Sequence, residues 1–129
     1  MTRRTANRGT PLERNIGFSR ATRIGNVIAV SGTAAIAADG STIGIGDAYA
    51  QTLACLQLGI SAIEELGGSK EDVIRTRIML TDASNWEAAA KAHGECFAEV
   101  RPACTFVEVK GFIRSDWLVE TEIDAVCGK

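Results

Sequence analysis

Trp117-Leu-Val-Glu-Thr-Glu-Ile-Asp-Ala-Val126 alternates along its length. In an extended strand, successive side chains point to opposite faces. Val119, Thr121, Ile123 and Ala125 therefore share one face, and Glu120, Glu122 and Asp124 share the other. Carboxylates spaced roughly 7 Å apart along one face repel one another and need water, cations or a functional reason to be there. Just upstream, Arg101-Pro-Ala-Cys-Thr-Phe-Val-Glu-Val109 reads as a second strand opened by proline. Cys104, Phe106 and Glu108 fall on one of its faces, and Thr105, Val107 and Val109 on the other. A thiol, an aromatic ring and carboxylates on two such strands can line a cleft. The rest of the chain reads as the scaffold that places them.

Working outward, Ser84-Asn-Trp-Glu87 has the spacing of a capping box. It predicts a helix with the stripe Trp86, Ala90, His93, Phe97 and Val100, stopped by Pro102. Before it, Val73–Thr81 reads as a strand with Ile74, Thr76, Ile78 and Leu80 on one face, and Arg75, Arg77 and Met79 on the other. Asp47 reads as the N-cap of an earlier helix. Tyr49, Leu53, Leu56, Ile60 and Ile63 form its stripe over about five turns, and Gly67-Gly68 ends it. Ser41–Gly46 is a glycine-rich connector that matches neither a P-loop nor a dinucleotide fingerprint. Val27–Ser31 and Ile16–Ile24 read as a hairpin turning at Gly25-Asn26, with Ile16, Phe18, Arg20, Thr22 and Ile24 on one face. Residues 1–15 are expected to be an N-terminal arm or loop, and 16–127 a single domain. The order β-β-α-β-α-β-β predicts an α+β fold, one sheet with two helices packed on one face. The acidic and arginine-bearing face then points away from the helices. Phe18, Met79 and Phe106 are expected on that open face, which favours an oligomer.

A chain of 129 residues, 46% apolar, builds one core without staples. Only 5% is aromatic, so that core is mostly aliphatic. A net charge of −2 and a pI near 5.4 argue against a dedicated nucleic-acid binder. The charge is uneven: residues 1–25 carry six arginines against one acid, Glu13. Four cysteines without a Cys-x-x-Cys spacing, beside a single histidine, argue against a zinc site. With no signal peptide in view, reduced thiols in the cytoplasm are the expectation. No apolar run approaches the ~20 residues of a membrane span.

Glu120 is the carboxylate expected to orient water as a general base or to hold a substrate nitrogen. The structural alternative for the acidic face is ion pairing with Arg75, Arg77 or Arg20. Cys104 reads as a cleft-lining or buried thiol; nucleophilic chemistry needs a base partner, and His93 is expected to face the core. Arg20 and Arg101 are the cations able to grip a carboxylate with a bidentate fork.

Gly17-Phe-Ser-Arg-Ala21, Ile24-Gly-Asn-Val-Ile-Ala-Val-Ser-Gly32, Asp82 with Trp86, Arg101-Pro-Ala103, Val107-Glu-Val109 and Leu118-Val-Glu-Thr-Glu122 resemble the RidA/YjgF family of reactive-intermediate deaminases, also labelled endoribonuclease L-PSP. The resemblance runs from about residue 16 to 126, and the order and spacing of these short motifs are what is specific. It implies a chorismate-mutase-like α+β fold, a homotrimer and a small-molecule ligand in each inter-subunit cleft. It also implies hydrolysis of enamines and imines such as 2-aminoacrylate, with no metal or organic cofactor. Glu120 matches the family's water-orienting glutamate, and Gly32 its Ser-Gly turn. Phe18 stands where the family usually has a tyrosine. Cys104 stands where an arginine clamps the substrate carboxylate, so the chain resembles a branch without that arginine. Phe106 lies beside Cys104, and Arg20 is the candidate substitute cation. A non-catalytic small-molecule binder is the alternative. An endoribonuclease is disfavoured by the low pI and by the absence of a basic, aromatic-studded pattern.

Overall fold

A computed structural model describes residues 2–128. Its strands are β1 (Arg3–Ala6), β2 (Ala21–Ile24), β3 (Val27–Ala34), β4 (Val73–Leu80), β5 (Ala103–Glu108) and β6 (Val119–Val126). Its helices are α1 (Pro11–Ile16), α2 (Ala48–Glu65) and α3 (Trp86–Phe97). The six strands form one sheet in the order β1-β2-β3-β6-β4-β5. The fold is α+β, with α2 packed on β3 and β6 and α3 packed against α2. None of the helices among the described residues is long and apolar enough to cross a membrane.

The hairpin turns where Gly25-Asn26 predicts it. Gly25 adopts φ 59, open to a residue without a Cβ, and Ile24 pairs with Val27. Arg3–Ala6, in the stretch expected as an arm, is a strand paired antiparallel with β2. Thr10 then caps α1 through a reciprocal capping box with Glu13, and Pro11 occupies the first turn. The box expected at Ser84 does not form. Asp82 instead accepts from Ser84 N, a short 3₁₀ turn runs over Ala83–Asn85, and α3 begins at Trp86. The earlier carboxylate captures the free N–H first.

Asp47 caps α2 by accepting from Ala50 N. The buried face of α2 is Ala48, Gln51, Thr52, Cys55, Leu56, Gly59 and Ile63, rotated from the stripe that counted large apolar side chains. The rotation follows from Gly59. A Cβ there would stand 2.7 Å from Ile123 Cδ1, so the helix comes closest to the sheet on its small-residue side. α3 behaves alike: Ala89, Ala92 and Phe97 are buried, while Trp86 is 53% exposed.

Two bulges set the faces of the sheet. Pairing of β3 with β6 passes from Val30↔Ile123 to Thr33↔Thr121, leaving one extra residue at Ser31-Gly32. Pairing of β4 with β6 passes from Val73↔Ala125 to Arg75↔Asp124, leaving an extra residue at Ile74. A bulge flips the side chains beyond it relative to simple alternation. Val73 is therefore buried and Ile74 exposed, the reverse of the expected inward Ile74. The core-facing row of β6, from Val119 to Ala125, is buried as its alternation predicts.

Candidate functional site

β5 and β6, consecutive in sequence, are separated in the sheet by β4. β4 runs antiparallel to β6 and parallel to β5. Paired residues share a face. Glu120, Met79 and Val107 therefore form one row on the open face, and Glu122, Arg77 and Thr105 the next. Cys104 lies beside Thr76, and Phe106 beside Ile78, on the opposite, helix-side face. Phe106 is thus not on the open face with Met79. Parity along β5 sets it against His93, with ring centroids 6.3 Å apart.

The expected site residues fall into two groups that one chain does not bring together. The first gathers at the Ser31-Gly32 bulge. Glu120 is half-buried, and a Cβ on Gly32 would stand 3.0 Å from its Oε1, so the carboxylate rests against the Gly32 backbone. Gly32 is needed there for close approach rather than for an unusual dihedral. Arg20 donates from Nη1 and Nη2 to the Gly32 carbonyl, both at 3.2 Å. Its guanidinium carbon lies 5.1 Å from the centre of the Phe18 ring. Ser31 Oγ donates to Ser19 O at 2.6 Å and locks the same turn. Glu120, Gly32, Arg20 and Phe18 thus belong to one neighbourhood.

Burial raises the pKa of Glu120 above its ordinary 4.5; the Arg20 charge opposes this, and Glu122 adds to it. Glu122 and Asp124 are placed differently. Both take Arg77 Nη1 at 3.5 Å, in pairs more than a third exposed on each side. These are the cross-strand ion pairs that the acidic face requires, and at such exposure they contribute little to stability. On the helix side of β6, burial, with Glu120 second, pushes the Cys55 thiol up to about 12, which makes it inert at neutral pH.

The second group lies along β5, an edge strand whose residues are all exposed. Cys104 projects beside the Thr76–His93 hydrogen bond of 2.8 Å. Burial lowers the His93 pKa, which favours the neutral ring. Phe106, Trp86, Leu80 and Val107 line an open hollow of about 250 Å³. Glu108 closes its end by accepting from Ala83 N at 2.7 Å, which fixes the turn that carries Trp86. Arg101 is exposed at the α3 terminus with φ 58.

Glu13 was not among the expected site residues. It is 6% exposed, accepts from the backbone N–H groups of Arg8, Gly9 and Thr10, and lies 4.0 Å from Arg20 Nε. Burial would raise its pKa, but these donors and Arg20 outweigh burial and hold it below 4.5. Its signal was Thr10-Pro-Leu-Glu13, a helix start with proline in the first turn, hidden within a stretch read as an arm.

The sequence profile of the endoribonuclease L-PSP family matches residues 10–127. The chain is 41% identical over 120 residues to the uncharacterized protein SCO2049 of Streptomyces coelicolor, covering 93% of this chain and 89% of that protein. It is 34% identical over 100 residues to the 3-aminoacrylate deaminase RutC of Acinetobacter baylyi, covering 78% and 79%. The crystal structure of Rv2704 from Mycobacterium tuberculosis, a member of the YjgF/YER057c/UK114 family, superposes with a TM-score of 0.86 at 37% identity, over 97% of this chain and 99% of that one. The fold, the matched span and these relatives agree: the chain belongs to the RidA/YjgF (endoribonuclease L-PSP) family.

Proposed function

We propose that this protein is a cytoplasmic homotrimer that hydrolyses a small imine or enamine in clefts between subunits, with Glu120 orienting the water. One observation carries the reading: Glu120 is a half-buried carboxylate of raised pKa held against the Gly32 backbone, while the other two acids of its strand are paired with Arg77. A carboxylate whose pKa is raised in this way is a stronger proton acceptor than an ordinary one. The name of the RutC relative, a 3-aminoacrylate deaminase, points to the same reaction class.

The cleft needs a neighbour. Cys104 and Phe106 lie on the helix-side face of an exposed edge strand, and Glu120 lies on the other face of the sheet. A second subunit that sets its β5 row opposite the first subunit's Gly32 bulge completes the wall. Phe18 and Phe106 then bound the ligand, Gly32 supplies backbone, and Cys104 occupies the place of a cation.

The chemistry balances without a cofactor. Glu120 accepts a proton from water as the water oxygen bonds to the C=N carbon and the C=N electron pair moves onto nitrogen; Glu120 then passes that same proton to the nitrogen, which gives a neutral carbinolamine. In the collapse, Glu120 takes the hydroxyl proton as C=O forms and delivers it to the nitrogen as C–N breaks, so ammonia leaves and Glu120 ends as the carboxylate. An enamine enters after protonation on carbon.

The test is hydrolysis of 2-iminopropionate generated in situ, by the wild type, Glu120→Ala and Cys104→Arg. The expected result is wild-type activity lost in Glu120→Ala. Cys104→Arg should tighten binding of this carboxylate substrate roughly tenfold to a hundredfold, the worth of one charge-assisted contact. Inactivity in every variant, with the ligand still bound, overturns catalysis in favour of a non-catalytic binder. Cys104, standing in place of a carboxylate clamp, is the feature that favours that second reading.

A further inference from the structure

We propose that Glu13 is a positioning residue, holding Arg20 so that its guanidinium fixes the Gly32 carbonyl and thereby the seat of Glu120. The proposal rests on the reading of Glu120 as the group that acts on the ligand.

The connection is continuous. The Glu13 carboxylate is anchored first by backbone: Arg8 N at 3.2 and 3.0 Å, Gly9 N at 2.9 Å and Thr10 N at 3.2 Å. An acid satisfied by that many backbone donors is a fixed charge. It faces Arg20 Nε at 4.0 Å, in a pair with side chains only 20% and 7% exposed. Such a shielded pair resists screening better than the Arg77 pairs on the open face. With Nε turned toward Glu13, both terminal nitrogens point at one atom, the Gly32 carbonyl oxygen. Gly32 is the residue whose α-carbon Glu120 abuts.

The charged groups acting on Arg20 are Arg8, Glu13 and Glu120, and those acting on Glu120 are Arg20 and Glu122. Arg20 therefore stands between two carboxylates. It is committed to the nearer, buried one, and one N–H of each terminal nitrogen is given to the Gly32 carbonyl. Held between Glu13 and the Gly32 carbonyl, it shapes the cleft and fixes the seat of Glu120. The chain connectivity explains why an N-terminal acid reaches the site at all. Arg20 N donates to Ala6 O at 2.8 Å, so β1 and the turn into α1 fold back beside the bulge.

The test is a double-mutant cycle read on Glu120 itself, by carbon-detected NMR titration of its carboxyl in the full-length protein. The resonance is assigned by its loss in Glu120→Gln. Arg20→Gln removes the opposing cation, so the Glu120 midpoint moves up. Glu13→Gln releases Arg20, whose remaining carboxylate neighbour is Glu120, so the midpoint moves down. In the Arg20→Gln background, Glu13→Gln has little further effect. kcat for 2-iminopropionate falls roughly tenfold to a hundredfold in both single variants, although the midpoints move in opposite directions, while KM changes little. Glu13→Asp, which keeps the charge but withdraws it by one methylene, repeats the downward shift in smaller measure and serves if Glu13→Gln does not fold.

A folded Glu13 variant that leaves the Glu120 midpoint in place, or moves it equally with and without Arg20, overturns the proposal. So does an Arg20→Gln variant with raised KM and unchanged kcat, which makes Arg20 a ligand clamp. An inactive wild type overturns the catalytic reading and not this one, because the titration needs no substrate.

Discussion

Gly59 is where α2 touches the sheet, and its replacement by alanine sets two effects of similar size against each other. In the middle of a helix, Gly→Ala adds about 1 kcal/mol of stability through backbone entropy. Here the new methyl would stand 2.7 Å from Ile123 Cδ1, 3.6 Å from Ile123 Cγ1 and 3.8 Å from Val30 Cγ1. Only the first distance is a clash. It is with the far end of a side chain, but that side chain is fully buried in the core cluster. Overpacking of this kind costs about 1–3 kcal/mol. The expected net result is a loss of about 0–2 kcal/mol. The sharper expectation concerns the pair. Ile123→Val removes the offending Cδ1 at a cost of about 0.5–1.5 kcal/mol. In that background Gly59→Ala should become stabilising by up to about 1 kcal/mol, a coupling of about 1–3 kcal/mol. Urea unfolding of all four proteins at one fixed concentration measures it, since subunit association makes apparent stability concentration-dependent. Stabilisation by Gly59→Ala alone, with no coupling to Ile123, would refute the argument that this glycine is present for closeness.

Gln51 is fully buried and joins α2 to the loop before β6: Nε2 donates to Gly44 O at 3.2 Å and Asp116 O at 2.9 Å, while Oε1 accepts from Leu118 N at 2.8 Å. Gln51→Leu keeps most of the volume but leaves these backbone groups unpaired, so a loss of about 2–4 kcal/mol is expected in urea unfolding; a loss under about 1 kcal/mol would mean that other contacts hold the loop. Glu120 has a folded pKa raised above 4.5, so from pH 4.5 up to that folded value the folded chain binds more protons than the unfolded one, and stability declines as pH rises through that window. Glu120→Gln should therefore be the more stable protein at neutral pH, with an advantage that shrinks toward pH 4.5; parallel pH profiles for the two proteins would contradict the direction of the shift.

Element type and order could be read wherever side chains alternate or punctuate strongly. The run from Val119 to Ala125, the Gly25-Asn26 turn, the Asp47 cap and Gly67 after α2 all act through local chemistry. What escaped reading was non-local. The buried face of α2 is chosen by Gly59 and Thr52, which carry no apolar signal, because nearness to the sheet favours small side chains. Spacing puts Trp86 on the stripe of α3 and the strand reading puts Phe106 on the open face; the first lies exposed on α3 and the second packs on His93 along an edge strand. Ile74 faces outward because of a bulge that no residue type announces. The site residues at the Gly32 bulge could be named from motifs, whereas Glu13 needed the three-dimensional path of β1 and α1.

The acidic strand shows how register turns a repetitive sequence into a specific site. Glu120, Glu122 and Asp124 are equivalent by alternation: same face, same spacing, same strand. Their cross-strand neighbours make them different. On β4, Asp124 faces Arg75, Glu122 faces Arg77, and Glu120 faces Met79. On the other side, Glu120 faces Ala34, just beyond the Ser31-Gly32 bulge. Glu122 and Asp124 thus each have a cation directly opposite, while Glu120 sits between apolar neighbours and feels Arg20 from across the turn. Burial without a directly paired cation is the condition that lifts a carboxylate's pKa; on β4 the unbroken pairing from Arg75 to Leu80 brings Met79 opposite Glu120, and on β3 the Ser31-Gly32 bulge brings Ala34 there. The singular property of Glu120 therefore resides in the register of three strands, to which its own strand contributes only the alternation.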